Sequence, residues 1–138
     1  MRTELRQYAN HSAQTATPGQ LVVMLYDGFL RFAAQARAAI ERGDAGEVGT
    51  RLTRAQAIVT ELRVTLDMTQ GPIAENLASI YAYVGERLTA ARLSQDAAEI
   101  DEAVRHMSEL RAAWVQIAGT ARPAAERRGP VVGVDLAS

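Results

Sequence analysis

Four points of helix punctuation divide most of the sequence into segments of nearly equal length. Thr17-Pro18-Gly19-Gln20 offers an N-cap threonine, a proline suited to the first helical position and a glutamine placed to complete a capping box. Gly43 can take the left-handed position that ends a first helix, and Asp44 with Glu47 opens a second almost at once. Gly71-Pro72 breaks the chain and restarts it, and Asp96 with Glu99 forms another acidic capping box. The spacing predicts helices from Thr17 to about Arg42, from Asp44 to about Thr69, from Pro72 to about Leu93 and from Asp96 to about Gly119, with Pro123 as the last stop. Each helix is then roughly 22–25 residues, about 35 Å at 1.5 Å per residue. Links this short make successive helices antiparallel neighbours. The expected fold is therefore all-α, an antiparallel up-down-up-down four-helix bundle. The expected organisation is an N-terminal arm over residues 1–16, the bundle over 17–120 and a flexible tail over 121–138, rich in Pro, Gly and small residues.

The apolar periodicity agrees. Leu21, Leu25, Gly28, Phe32, Ala36 and Ala39 form a stripe on the first helix, and Val48, Leu52, Ala55, Val59, Leu62 and Leu66 on the second. Ile73, Leu77, Tyr81, Val84, Leu88 and Ala91 follow on the third, and Ile100, Ala103, Met107, Leu110, Trp114 and Ile117 on the fourth. Every step is three or four residues, the spacing of a bundle core. Gly28 on its stripe permits close helix packing, and Tyr81 and Trp114 read as packing residues. Apolar surface is left over once this core is filled. Val23, Tyr26, Leu30 and Ala33 make a second stripe on the first helix, roughly 80–160° from the first by the 100° helical step. Ile58 adds to one flank of the second helix, with Val64 and Met68 on its far side. Ile80 and Tyr83 add to the third. Single exposed apolar residues are ordinary. A stripe at helical spacing on an outer face can accept an amphipathic helix from a partner.

Reactive chemistry is scarce. The 138 residues are 48% hydrophobic and 22% charged, the composition of one globular domain. There is no cysteine, which excludes disulfides and thiolate metal sites. The net charge is −1, and the fifteen basic residues, all arginine, form no basic face, which argues against nucleic acid as a partner. The start, MRTELRQYANHSA, has no apolar run, and no stretch reaches the roughly 18 apolar residues of a membrane span. A cytoplasmic protein without membrane insertion is expected. A di-iron bundle needs Glu-x-x-His, whereas Ala103 stands three residues before His106 and Tyr8 three before His11. In a phosphotransfer bundle, Glu109 would repel the phosphoryl group arriving at His106. His106, near Glu102 and Glu109, reads instead as a solvated surface histidine. No phosphate loop, HExxH or nucleophile elbow is present. The chain is expected to be no enzyme, with no catalytic residue, cofactor or metal.

Several motifs then combine. Tyr8 precedes Thr15-Ala16-Thr17-Pro18-Gly19-Gln20-Leu21, and Met24-Leu25-Tyr26-Asp27-Gly28 follows at a fixed distance. Arg54-Ala55-Gln56-Ala57-Ile58-Val59-Thr60-Glu61-Leu62, Ile80-Tyr81-Ala82-Tyr83-Val84 and Leu110-Arg111-Ala112-Ala113-Trp114 come in the same order further on. This set resembles the flagellar secretion chaperone family FliS over about residues 5–118. The resemblance implies a four-helix bundle with its N-terminal arm laid over it. It implies binding of the C-terminal segment of flagellin, disordered in the free monomer and partly helical once it wraps the chaperone. Covering that segment in the cytoplasm would prevent premature polymerisation, and the loaded complex would pass to a component of the flagellar export gate. A homodimer is a further expected partner state when the protein is free. Tyr8 matches the family's arm tyrosine, Tyr26, Asp27 and Gly28 its helix-1 motif, and Tyr81 and Trp114 its later aromatics. The arm departs in carrying Leu5 as its second apolar residue, and Arg92 stands where the family tends to have Asn. The partner-binding residues expected are Leu5, Tyr8, Val23, Tyr26, Leu30, Ile58 and Tyr83. The competing reading is a generic helical adaptor or dimerising bundle without flagellin specificity.

Overall fold

A computed structural model describes residues 16–126, with side chains to residue 117. Among the described residues there are four α-helices and no strand. They are α1 (Pro18–Glu41), α2 (Ala45–Val64), α3 (Pro72–Ser94) and α4 (Ala97–Glu126), with a short 3-10 turn over Met68–Gln70 before α3. Helix α1 packs on α2 and α4, and α3 packs on the same two. The helices thus form a ring in chain order, with α1 and α3 on one diagonal. This is the antiparallel bundle that the punctuation predicts.

The caps explain the boundaries. The Gln20 backbone N–H donates to Thr17 Oγ1 at 3.1 Å, and the Thr17 N–H donates back to Gln20 Oε1 at 2.9 Å, so the capping box is complete. Gly43 has φ +73°, where a side chain would be strained, and lets α1 turn directly into α2. Asp44 Oδ1 accepts from the Glu47 N–H at 3.1 Å. Asp96 caps α4 through the Ala98 N–H at 2.9 Å, not by a reciprocal box, because the Glu99 carboxylate is paired with Arg87.

Two boundaries differ from the sequence reading. Helix α2 ends at Val64, about a turn before Thr69. There the Thr65 hydroxyl donates to the Leu62 carbonyl, and Asp67 Oδ1 accepts from the Thr69 N–H, at 2.8 and 3.0 Å. These side chains offer the backbone a rival to the helix ladder. Helix α4 continues through Pro123 to Glu126. With three residues left in the helix, the missing proline N–H deprives one carbonyl, that of Gly119, of its helical donor.

The core largely follows the predicted stripes on α2, α3 and α4, with Val48, Leu52, Ala55, Val59, Leu62, Tyr81, Val84, Leu88, Ala91, Ile100, Ala103 and Met107 buried. Ile73 is a correction: it is 72% exposed. Helix α1 is rotated relative to the reading. Tyr26 and Ala33, expected on an outer stripe, are fully buried with Phe29 and Ala36, while Leu21, Leu25 and Phe32 are half-buried. The cause is that α1 lies between two neighbours and buries a wide arc centred between the two candidate stripes. Ile58, expected on a flank of α2, is also fully buried. A Cβ added at Gly28 would sit 3.1 Å from Ile58 Cδ1, so the bare glycine backbone makes room for that side chain.

Ile58→Ala should therefore cost roughly 2–5 kcal/mol in urea unfolding. Val64→Ala, on a side chain 69% exposed at the end of α2, should stay within about 0.5 kcal/mol.

Candidate functional site

The beginnings of α1 and α3 and the ends of α2 and α4 meet at one end of the bundle. Among the described residues the core does not close there. A cavity of about 460 Å³ opens between them, lined by apolar groups from all four helices. Helix α1 contributes Val22, α2 contributes Leu62, and the turn after α2 contributes Leu66. Helix α3 contributes Leu77, Ile80 and Tyr81, with Ile73 at the lip, and α4 contributes Leu110, Trp114 and Ile117. Thr65, Asp67, Gln70 and Asn76 add polar groups to the lining. Most of these apolar residues, Leu66, Leu77, Ile80, Leu110 and Trp114 among them, are half-buried and packed against the core. The early end of α2 shapes this mouth, because the chain turns away through Asp67 to Gly71 instead of continuing an apolar helical wall.

Two phenols meet beneath the mouth. Tyr26 Oη and Tyr81 Oη are 2.6 Å apart, and both side chains are buried. Burial raises the pKa of Tyr26 first, and the neighbouring Tyr81 raises it further. Burial likewise raises Tyr81. Both hydroxyls therefore keep their protons at neutral pH and act as hydrogen-bonding groups. The neighbouring Trp114 side chain acts in the opposite direction on Tyr26, as the smallest of these influences.

A second cluster lies between α3 and α4. The Tyr83 hydroxyl donates to Glu102 Oε2 at 3.0 Å, and His106 Nε2 lies 3.2 Å from the same oxygen. The Tyr83 and His106 rings meet edge to face, 5.2 Å apart. The Arg87 guanidinium stands 5.3 Å above the Tyr83 ring while bonding Glu99 at 2.6 Å. Hydrogen bonds from Arg105, then Tyr83, hold the Glu102 carboxyl down at about 2. The same Glu102 contact, with burial second, raises Tyr83. His106 is thus engaged with Glu102 and Tyr83 and not simply solvated.

The residues named from sequence are dispersed. Leu5 and Tyr8 lie outside the described residues. Val23 and Leu30 are half-buried on α1, and Leu30 packs against the core. Tyr26 and Ile58 are buried, and Tyr83 is 37% exposed beside Glu102. None of the described five lines the mouth, although Tyr26 bonds Tyr81, which does. Ile80, counted in the sequence as spare apolar surface, does line it. The other lining residues carry helical periodicity and so read as core. What distinguishes them is their position at helix ends, where the four walls stand around a cavity.

Among the described residues no group of His, Asp and Glu could hold a metal ion, and no helix is long and apolar enough to cross a membrane. A helical bundle with an open apolar end is a binding module. The chain belongs to the FliS family: the family model for "Flagellar protein FliS" matches residues 1–121. It is 36% identical to the flagellar secretion chaperone FliS of Salmonella typhimurium over 119 residues, covering 82% of this chain and 88% of that one. It is 35% identical to the same-named protein of Bacillus subtilis over 109 residues, covering 79% and 81%. A third relative, from Vibrio cholerae, is 32% identical over 122 residues, covering 85% and 90%. The family is one of chaperones and not of enzymes.

The Glu102 cluster should make stability acid-sensitive. A carboxyl depressed in the folded state contributes stability above its ordinary value of 4.5 and loses it as pH falls toward about 2. Thermal unfolding followed across that window should show a shallower decline for Glu102→Gln than for the parent chain.

Proposed function

We propose that the chain is an export chaperone for flagellin, holding its C-terminal segment at the open end of the bundle. The observation that carries this reading is the apolar mouth itself. It is already formed, so a partner helix gains apolar contact without the bundle having to open. The relatives named flagellar secretion chaperones support flagellin as the occupant. Covering the segment keeps flagellin from polymerising early in the cytoplasm, and the loaded complex is then delivered to the flagellar export gate. Membership in the FliS family favours this over a generic dimerising bundle. A homodimer of the free protein is then a competing use of the same apolar surface.

The proposal extends to the organisation of the chain. The bundle is the holding unit, with the arm before it and the tail after it. The arm joins α1 at Thr17, the end where Val22 lines the mouth. Leu5 and Tyr8 are therefore kept as contact residues for that end. Val23, Leu30 and Tyr83 are kept as contacts for a segment that runs beyond the mouth. Tyr26 and Ile58 act from beneath, by shaping the walls.

Titration calorimetry of the chain against full-length and C-terminally truncated monomeric flagellin tests the reading. Binding should require the C-terminal segment and carry a large negative heat-capacity change, because a disordered segment folds as apolar surface is buried. Equal binding to both flagellins contradicts the proposal. Ile73→Asp places a charge at the lip of the mouth on a side chain 72% exposed. It should leave the melting temperature almost unchanged and weaken flagellin binding by about 1–2 kcal/mol or more.

A further inference from the structure

Apolar surface that the bundle leaves uncovered gathers at the mouth. Val64 at the end of α2, Met68 in the turn before α3 and Ile73 at the start of α3 are exposed beside the apolar cavity. A contiguous patch of this kind marks a surface that something covers. The chain carries a segment of fitting chemistry within reach. Helix α4 runs to Glu126, nine residues past Ile117 of the cavity lining, and so projects roughly 14 Å beyond it. Arg127-Arg128-Gly129-Pro130 follows, and Gly-Pro is a turn signal that cannot continue a helix. The five Cα steps from Glu126 to Val131 span up to about 17 Å, enough to retrace that projection. Next comes Val131-Val132-Gly133-Val134-Asp135-Leu136, four large apolar residues in six. The stretch before α1 is poorer, with Leu5 and Tyr8 set among polar neighbours. Charge agrees as well. Asp67 is the one charged residue of the lining, and the pair leading into the segment, Arg127 and Arg128, has the opposite sign.

We infer that residues 131–136 of this chain dock in its own mouth when no partner is bound, as a removable cover. In an extended segment Val132, Val134 and Leu136 fall on one side, with Gly133 and Asp135 on the other. That places three apolar anchors toward the cavity and the carboxylate toward water. An extended backbone has no internal partners for its amides, and Thr65, Gln70 and Asn76 bring polar side chains to the same lining. Tethering keeps the segment at an effective concentration on the order of millimolar, so even a weak contact is occupied half the time or more. The family match ends at residue 121, so the cover lies outside what this chain shares with that family. Its effect on loading rests on the flagellin reading above, since flagellin then has to displace it. The docking itself does not depend on that reading.

The composition makes the test direct. Trp114 is the only tryptophan and lines the cavity, and the chain has no cysteine. A nitroxide attached to Ser138→Cys in the full chain quenches indole emission on contact. Trp114 emission should fall about 2-fold or more in the free protein, and dilution should not restore it. Adding Val132→Asp and Val134→Asp to the labelled chain should restore it. Emission that is no lower with the label than in that Asp variant overturns the inference. Quenching that vanishes on dilution assigns the mouth to a second copy, and quenching from a nitroxide on Ser12→Cys but not on Ser138→Cys assigns it to the arm; either result overturns the cover. In calorimetry with monomeric full-length flagellin, the unlabelled Val132→Asp/Val134→Asp chain should bind about 2- to 10-fold tighter than the parent, because the competing state is removed. Equal affinity overturns the effect on loading. Failure of both chains to bind flagellin overturns the flagellin reading, while the quenching result still decides whether the cover exists.

Discussion

The hydrogen bond between Tyr26 and Tyr81 joins the two helices that do not pack on each other. Helices α1 and α3 lie on a diagonal of the ring, so their spacing at this level is set by two aromatic side chains meeting in the middle. A phenol fills the space of a large apolar residue yet needs a partner for its hydroxyl. Each tyrosine provides that partner for the other. The pair closes the core below the mouth and at the same time holds the mouth's floor in place.

On either side of this pair the bundle is built differently. Toward the other end the core uses small residues and mid-sized aliphatics, with Ala36, Ala39, Ala91 and Ala103 buried alongside Val48, Leu52, Leu88 and Ile100. Small side chains let helices approach until no gap remains. Toward the mouth the apolar residues are larger, and Leu77, Leu110 and Trp114 are half-buried against the core and line the cavity. Polar contacts then fix the register of the helices. Arg37 grips Asp101 from α1 to α4 with two bonds of 2.8 and 3.0 Å. Gln56 donates to the Gly85 carbonyl from α2 to α3 at 3.0 Å. Arg92, where the family tends toward Asn, reaches the Thr53 hydroxyl and the Gly49 carbonyl on α2. Its role is a contact between α2 and α3. Exposed polar contacts of this kind add little stability each and act chiefly on alignment.

The sequence was most informative where local chemistry decides the outcome. Thr17 with Gln20, Gly43 with Asp44, and Gly71-Pro72 each satisfy backbone groups with their own neighbours, so the ends of α1, the start of α2 and the start of α3 were legible. The late part of α2 was not, because Thr65 and Asp67 compete with the helix through bonds that periodicity does not register. The rotation of α1 was hidden for a different reason. Two apolar stripes fit its sequence, and only its position between α2 and α4 makes Tyr26 and Phe29 the centre. Gly28 pointed to close packing, yet the residue it accommodates, Ile58, sits on another helix and read as surface. The mouth was the least legible feature. Its lining carries the same three- and four-residue spacing as the core, and its openness arises from where four helices end relative to one another.

An unfinished core end ties stability to binding. Leu77, Leu110 and Trp114 already contribute to folding through their packed sides. Their open sides hold further apolar area that an occupant can remove from water. A ligand that binds the folded bundle and not the unfolded chain stabilises it in proportion to its occupancy. That gain falls at the mouth, where α2 gives way to the Asp67–Gly71 turn. The closed end, packed with alanines, does not need the ligand. On the proposed function the bundle persists without flagellin and keeps the mouth formed, so that an arriving flagellin segment meets its apolar walls already in position.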